Sequence, residues 1–230
     1  MKYDFHAHIL PGADHGSRSP EDTEAQLTTL GECGVAHVAA TPHFYPDVWD
    51  SADSFLTFRR EREEILRPLL SKCGVSVYSG AEVLASEGLE HMKGLHDLCI
   101  AGTDVLLLEM PFFKWNERLC KTVSRLCRSG LCVLLAHIDR YPAEDVKKLF
   151  EMGAVGQVNC SAFAHPLRRS VYRSFVRQGF VRALGSDIHL PADFRAKNIL
   201  RAESYLGQTL MAELDAWGNE KLASAKKLVP

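Results

Sequence analysis

Asp4-Phe5-His6-Ala7-His8 closes the first apolar run of the chain. In an extended strand alternate side chains share a face, so His6 and His8 point the same way. Two imidazoles at a strand end make a pincer for a divalent metal, a common role of neutral histidine. The pair alone is a weak signal, because two histidines at this spacing also occur on ordinary surfaces. It decides the fold only if other metal-ligand types recur at the ends of other strands.

They do recur. Strand one covers residues 2–9, and Pro11 to Gly16 form a loop. Ser19-Pro20-Glu21-Asp22 starts a helix, with Ser as N-cap, Pro at the first helical position and carboxylates in the first turn. That helix carries Leu27, Leu30 and Cys33 on one face and stops at Gly34. A short buried strand follows from Val35 to Thr41, then Pro42-His43. Phe55, Phe58, Ile65, Leu66 and Leu69 fall on one face of a helix over about 51–71. Strand three runs from Val75 to Tyr78, ahead of Gly80-Ala81-Glu82. Residues 84–100 read as a helical excursion. Val105 to Met110 is an apolar strand covered on both faces, with Glu109 as the intruder. A helix over 116–129 leads to the strand 131–136 and His137. A helix over 143–152 leads to the strand 155–158 and Asn159. A helix over 167–178 leads to the strand 180–184, which runs into Asp187 and His189. From Arg195 the chain is helical to about Trp217, with a polar tail.

Seven strand–helix units at crossover spacing predict one domain over 1–230. Its architecture is a distorted seven-stranded α/β barrel, one unit short of the eight-unit form. In such barrels chemistry sits at the carboxyl ends of the strands. This chain places His6, His8, His15, His43, Glu82, Glu109, His137, Asp187 and His189 there. Singly, each has an ordinary explanation as a turn, cap or core residue. Glu109 resists it, since a carboxylate inside Leu-Leu-Leu-Glu-Met is costly to bury unless paired or on a metal. Together, nine intruders at one end of their strands mark a site. The other histidines, His37, His91, His96 and His165, have no such placement and read as structural or solvent-facing.

The set is histidine plus carboxylate without thiolate, which suits Mn, Fe or Zn at a catalytic centre better than a structural zinc. Nine ligands exceed one ion's shell, so at least two ions with a bridging carboxylate are implied. Clustered divalent ions suit phosphoester hydrolysis. Arg140, three residues past His137, and Arg195, six past His189, offer forks for phosphate oxygens.

The bulk properties narrow the classes. A net charge of −2 argues against a nucleic-acid footprint. No apolar run is long enough to insert in a membrane, and no secretory leader is evident, so the cytoplasm is the expected compartment. Seven scattered cysteines without a Cys-x-x-Cys pair read as reduced core thiols. No cysteine has an arginine six positions on, so a cysteine-nucleophile phosphate loop is absent.

The motifs Asp-Phe-His-Ala-His-Ile-Leu-Pro-Gly, Ala-Thr-Pro-His43, Gly-Ala-Glu82, Leu-Glu109-Met-Pro, Ala-His137-Ile-Asp-Arg140-Tyr, Val-Asn-Cys-Ser and Gly-Ser-Asp187-Ile-His189 occur in this order. They resemble the polymerase-and-histidinol-phosphatase (PHP) family. Within it they are most similar to the bacterial manganese-dependent protein-tyrosine phosphatases of capsular and exopolysaccharide operons. The resemblance spans residue 3 to about 195. It implies a three-metal Mn²⁺ site, phosphotyrosine-protein hydrolysis and a bacterial tyrosine kinase as the phosphorylated partner. His6, His8, Glu82 and Asp187 would hold one metal. Glu82 would bridge to a second, held with Glu109 and His137. His15, His43 and His189 would hold the third, and Arg140 and Arg195 would bind phosphate. One departure is Asp14-His15, where that branch usually has two aspartates; it bears on the third metal and on the substrate. A small-molecule phosphatase, as for histidinol phosphate, and a non-catalytic metal-binding module are the competing functions. The complete ligand set argues against the module.

Overall fold

The computed structural model describes residues 1–49, 51–192 and 195–229. The first half contains β1 (Tyr3–Ala7), α1 (Pro20–Glu32), β2 (His37–Ala40), β3 (His43–Phe44), α2 (Ala52–Cys73), β4 (Ser76–Ser79), β5 (Glu82–Leu84) and β6 (Val105–Glu109). The second contains α3 (Glu117–Arg128), β7 (Cys132–Leu135), α4 (Ala143–Glu151), β8 (Val155–Asn159), α5 (Arg169–Arg177), β9 (Val181–Gly185), α6 (Lys197–Leu206), α7 (Gln208–Leu222) and β10 (Lys227–Leu228).

Parallel ladders run β1-β2-β4 and β3-β5-β6-β7-β8-β9. The two sets are one barrel, because two strands are each broken in the middle. Thr41-Pro42 interrupts the strand that continues from β2 into β3, and Pro42 has no N–H to give a ladder. Gly80-Ala81 interrupts the next one, between β4 and β5. Across the break the Gly80 N–H still donates to the Ala40 carbonyl at 2.9 Å and the Glu82 N–H to the Pro42 carbonyl at 3.0 Å. The barrel closes where the His8 N–H donates to the Ile188 carbonyl at 3.0 Å and the Asp187 N–H to the His6 carbonyl at 2.8 Å. Counting each broken strand once gives the expected seven.

Alternation along the strands builds two cores. Phe5, Ala39, Tyr78, Val105, Leu107, Leu134 and Ala183 come from six different barrel strands and meet inside, where Trp217 and Leu222 of α7 join them. Leu106, Leu108, Val133, Leu135 and Leu184 point outward and pack under the helices. In β1 a register irregularity between Asp4 and Ala7 breaks the alternation. Phe5 can therefore join the inner core while His6 and His8 turn to the polar end.

The helix starts follow local chemistry. Ser19 caps α1 by accepting from the Asp22 N–H, with Pro20 at the first helical position. Ser51 and Ser54 form a reciprocal cap on α2, which ends at Gly74 in the left-handed conformation.

Three differences from the sequence expectation stand out. Residues 84–100 are not one helix: after β5 they form short 3₁₀ turns at Leu89–His91 and Leu95–Leu98, and Ile100–Gly102 adds a third. Gly88, Gly94 and Gly102, all at positive φ, punctuate the segment too closely for an α-helix to propagate. The terminal helix is two, split at Gly207 with φ 81° and ψ 165°. The polar tail contributes β10, antiparallel to β4. Among the described residues no helix is long and apolar enough to cross a membrane. All seven cysteines are free.

Candidate metal centre

The carboxyl ends of the strands bring the nine candidate ligands into one cluster. His6 Nε2 lies 3.1 Å from His8 Nε2, 3.2 Å from Glu82 Oε2 and 3.5 Å from Asp187 Oδ1. Glu82 sits at the centre: His43 Nδ1 is 3.0 Å from its Oε2 and His137 Nε2 is 2.8 Å from its Oε1. Glu109 Oε1 is 3.5 Å from His137 Nε2. The His189 ring lies 4.1 Å from that of His8, and the His15 ring lies 4.5 Å from His189 and 4.8 Å from His43.

Three groups offer donor atoms within 4.8 Å of one another: His6-His8-Asp187, His43-Glu82-Glu109 and His8-His43-His189. The first is part of the set expected for one ion. The other two overlap the remaining expected sets: His43 joins Glu82 and Glu109 beside His137, which lies 2.8 Å and 3.5 Å from those glutamates, and His8 joins His43 and His189, whose rings also neighbour that of His15. His15 is exposed at the cleft mouth, while His8 and Glu82 are fully enclosed.

The donor chemistry fits divalent cations. Both ring nitrogens of His43, Glu82 Oε2 and His137 Nδ1 are buried without a hydrogen-bond partner. Such atoms are costly unless something else satisfies them. The electrostatics agree. Burial alone would raise the Glu82 carboxyl, but the His6 charge, the His137 hydrogen bond and the nearby His43 ring outweigh it and hold Glu82 well below the carboxylate range. Asp187 is likewise held low, against burial, by His6, His8 and Arg140. Burial would lower His137, yet its contacts with Glu109 and Glu82 push it up to about 9. Ionised carboxylates at the floor of a dry site attract cations.

Neighbouring residues aim the ligands. Asp14 Oδ2 accepts from His8 Nδ1 at 2.7 Å, which leaves Nε2 with its lone pair toward the cluster. Asp14 also accepts from the Gly16 and His43 N–H groups at 2.8 and 3.0 Å. Gln157 Oε1 accepts from the His137 N–H at 2.7 Å, which fixes the orientation of its amide. The same oxygen then accepts from His6 Nδ1 at 3.1 Å. Gln157 Nε2 donates to Asn159 Oδ1 at 2.9 Å, and Asn159 Nδ2 donates to Asp187 Oδ2 at 2.9 Å. One side-chain relay therefore orients His6 and Asp187. Sequence reasoning missed Asp14 and Gln157 and gave Asn159 no role. A polar residue inside the apolar run Val155–Asn159 was the same signal that exposed Glu109.

Backbone strain concentrates here. His137 has φ 31° and Asp187 φ 51°, both in the left-handed region unusual for side chains of this kind. Gly16 is required by contact, since a Cβ there would lie 2.4 Å from His8 Cβ.

A cleft of about 730 Å³ opens above the cluster, lined by His15, His43, Glu109, Asp187 and His189 and by Arg18, Arg140 and Arg195. Arg140, expected to offer a fork for phosphate oxygens, lines this cleft, and its guanidinium donates to Asp187 Oδ2. The strongly ionised Asp187 is the nearest counter-charge at the strand end. The Arg140 side chain remains 38% exposed to the cleft. Arg18 was missed, although it follows His15 by three residues as Arg140 follows His137. Tyr45 stacks on His43 with ring centres 5.1 Å apart, and Phe112 lies over His137 at 6.4 Å.

Known proteins resemble this chain in sequence and fold. Residues 2–215 match the family described as capsular polysaccharide synthesis, CpsB/CapC. The tyrosine-protein phosphatase CpsB of Streptococcus pneumoniae is 24% identical over 204 residues, covering 81% of this chain and 82% of that one. The putative tyrosine-protein phosphatase CapC of Staphylococcus aureus is 24% identical, covering 81% of this chain and 76% of its own length. Among solved structures, a chain from the study of YwqE of Bacillus subtilis and CpsB of S. pneumoniae, metal-dependent tyrosine phosphatases, superposes with TM-score 0.81 at 22% identity, covering 97% and 95% of the two chains. A histidinol phosphate phosphatase from Lactococcus lactis, solved with zinc, L-histidinol and phosphate, shares the fold at TM-score 0.56 and 13% identity, covering 89% and 92%. The chain belongs to the CpsB/CapC family of PHP-fold phosphatases, metal-binding phosphoesterases related to the CpsB-type tyrosine phosphatases.

Proposed function

We propose that this protein is a Mn²⁺-dependent protein-tyrosine phosphatase whose substrate is a phosphorylated tyrosine kinase of bacterial capsule or exopolysaccharide synthesis, acting in the cytoplasm. The observation that carries the reading is a histidine–carboxylate floor under a cleft ringed by three arginines and two aromatic side chains. His6, His8, Glu82 and Asp187, then Glu109 and His137, then His15, His43 and His189 would hold the ions. Bound divalent ions supply Lewis-acid stabilisation of phosphoryl charge and activation of the attacking water. The chain's own groups do the rest. Arg140, Arg18 and Arg195 bind the phosphate oxygens, and Arg140 swings from Asp187 to do so. Phe112 and Tyr45 flank the leaving aromatic ring. Tyr45, pushed up to about 12 by burial and by Glu109 and Glu82, keeps its proton and can donate it in a hydrogen bond.

Manganese-loaded protein assayed side by side on a phosphotyrosine peptide and on histidinol phosphate tests this. We expect turnover of the peptide, loss with a chelator and recovery with Mn²⁺. Preference for histidinol phosphate would replace the protein substrate with a small one. Full turnover by metal-stripped protein would remove the metal from the reaction.

A further inference from the structure

Between Met152 and Ser186 the chain carries five arginines, Arg168, Arg169, Arg173, Arg177 and Arg182, and no aspartate or glutamate. The first four lie on α5 or just before it, and α6 adds Lys197 and Arg201 beside them. Arg168, Arg173, Arg177, Lys197 and Arg201 are exposed. Several surface cations elsewhere find partners, as in Arg67–Glu64, Arg125–Glu90, Lys121–Glu117 and Lys221–Asp104. Among the described residues, none of the six cations on α5 and α6 forms an ion pair. Three are held in place without being neutralised: the Arg169 guanidinium lies 4.5 Å over the Tyr205 ring, that of Arg173 5.6 Å from it, and that of Arg168 5.8 Å over the Tyr172 ring.

Five of the six line two hollows that meet at Tyr205. One, of about 630 Å³, has Phe163, Ala164, Arg169, Lys197, Leu200 and Arg201 in its walls. The other, of about 480 Å³, has Arg173 and Arg177. The first adjoins the metal cleft through shared elements. The turn Cys160–Ala164 gives Cys160 and Ser161 to the cleft and Phe163 and Ala164 to the hollow. The start of α6 gives Asn198 to the cleft and Lys197 to the hollow.

We propose that the α5–α6 face is a docking track for an acidic polypeptide segment adjoining the phosphorylated residue. The proposal rests on the phosphatase reading above and names the class of protein substrate: one with Asp- and Glu-rich sequence beside its phosphotyrosine. A concave track beside the phosphate cleft suits an extended chain better than a flat lipid surface. Its uncompensated guanidiniums select for carboxylates and steer their approach. Leu200, 58% exposed in the same hollow, meets the aliphatic part of the segment.

The test has a binding arm that needs no catalysis. A short fluorescein-labelled Asp/Glu-rich peptide without phosphate is titrated against the whole protein by anisotropy. We expect binding that weakens with salt and falls at least about tenfold in the triple variant Arg173→Glu, Arg177→Glu, Arg201→Glu. The triple lysine variant should keep most of it, and the triple glutamine variant replaces the glutamate one if charge reversal unfolds the barrel. In the kinetic arm, KM for an acidic-flanked phosphotyrosine peptide should rise about tenfold in the charge-reversed variant at unchanged kcat. KM for a neutral-flanked peptide and turnover of p-nitrophenyl phosphate should stay as in the wild type. Equal binding by the wild type and the reversed variant overturns the proposal. So does variant-sensitive binding to phosphatidylglycerol vesicles without any effect on the peptides, which would assign the face to a membrane. If no phosphoester is hydrolysed but peptide binding is lost in the variant, the docking face stands and the phosphatase reading fails.

Discussion

The metal centre and the α5–α6 face both gather charge, in opposite ways. At the centre the charged groups are buried and face opposite charges or aiming partners: Glu82 meets His6, His43 and His137, Asp187 meets Arg140, and His8 meets Asp14. On the α5–α6 face the cations are mostly solvated, and among the described residues none is in an ion pair. Buried, countered charge costs desolvation and survives where orientation matters. Exposed, uncountered charge costs little to keep and acts at a distance. The centre should therefore respond to substitution in rate and metal content, and the face in association.

Five substitutions can break or sharpen that contrast. The largest effect should come from Glu82→Gln, which removes the carboxylate at the middle of the cluster. We expect a loss of activity of a thousandfold or more, on the order of 4 kcal/mol, and greater than that of His15→Ala. Steady-state kinetics beside elemental analysis checks it, and equal losses at equal metal content would contradict a bridging Glu82. Arg140→Ala comes next, expected to keep its metals while losing about a hundredfold or more in rate, with only partial recovery in Arg140→Lys. Loss of metal instead would make Arg140 a support for Asp187. Gly16→Ala should destabilise the fold by roughly 1–3 kcal/mol, read from denaturant midpoints, because the new Cβ meets His8. Asp14→Ala should weaken metal binding about 10–100-fold in a competition titration, since His8 loses the carboxylate that aims it. The smallest effect should be on the face: Arg173→Ala should change stability by no more than about 0.5 kcal/mol, with kcat on a small phosphoester unchanged.

How legible this molecule was in its sequence depends on the kind of signal. Val105–Glu109 announced a doubly covered strand because apolar residues fill both faces, and Glu109 stood out against that background. Ser19-Pro20 announced α1 because cap and first-turn chemistry is local. The strand-end histidines and carboxylates were legible because the barrel gives each the same relative position. Asp14 and Gln157 were not, because their roles depend on which ring or backbone N–H lies across the barrel, which spacing does not encode. The segment after β5 misled because apolar spacing outweighed its three glycines. The pair β10 is too short to carry any period, and it exists only through its contact with β4. Spacing also leaves the sharing of ligands open, since His43 and His8 each belong to more than one group of donors.

Closure of the barrel by β1 against the segment after β9 has a consequence for biosynthesis. His6 and His8 leave the ribosome some 180 residues ahead of Asp187 and His189. At about 5–20 residues per second, that interval is on the order of ten seconds or more. During it the nascent chain exposes a histidine pair that can be scavenged by any soft cation, with no carboxylate from the last strand to complete the shell. The His6–His8–Asp187 group thus forms only once Asp187 has been made and its N–H reaches the His6 carbonyl. A ribosome stalled before residue 187 would release a chain unable to form the first ion site.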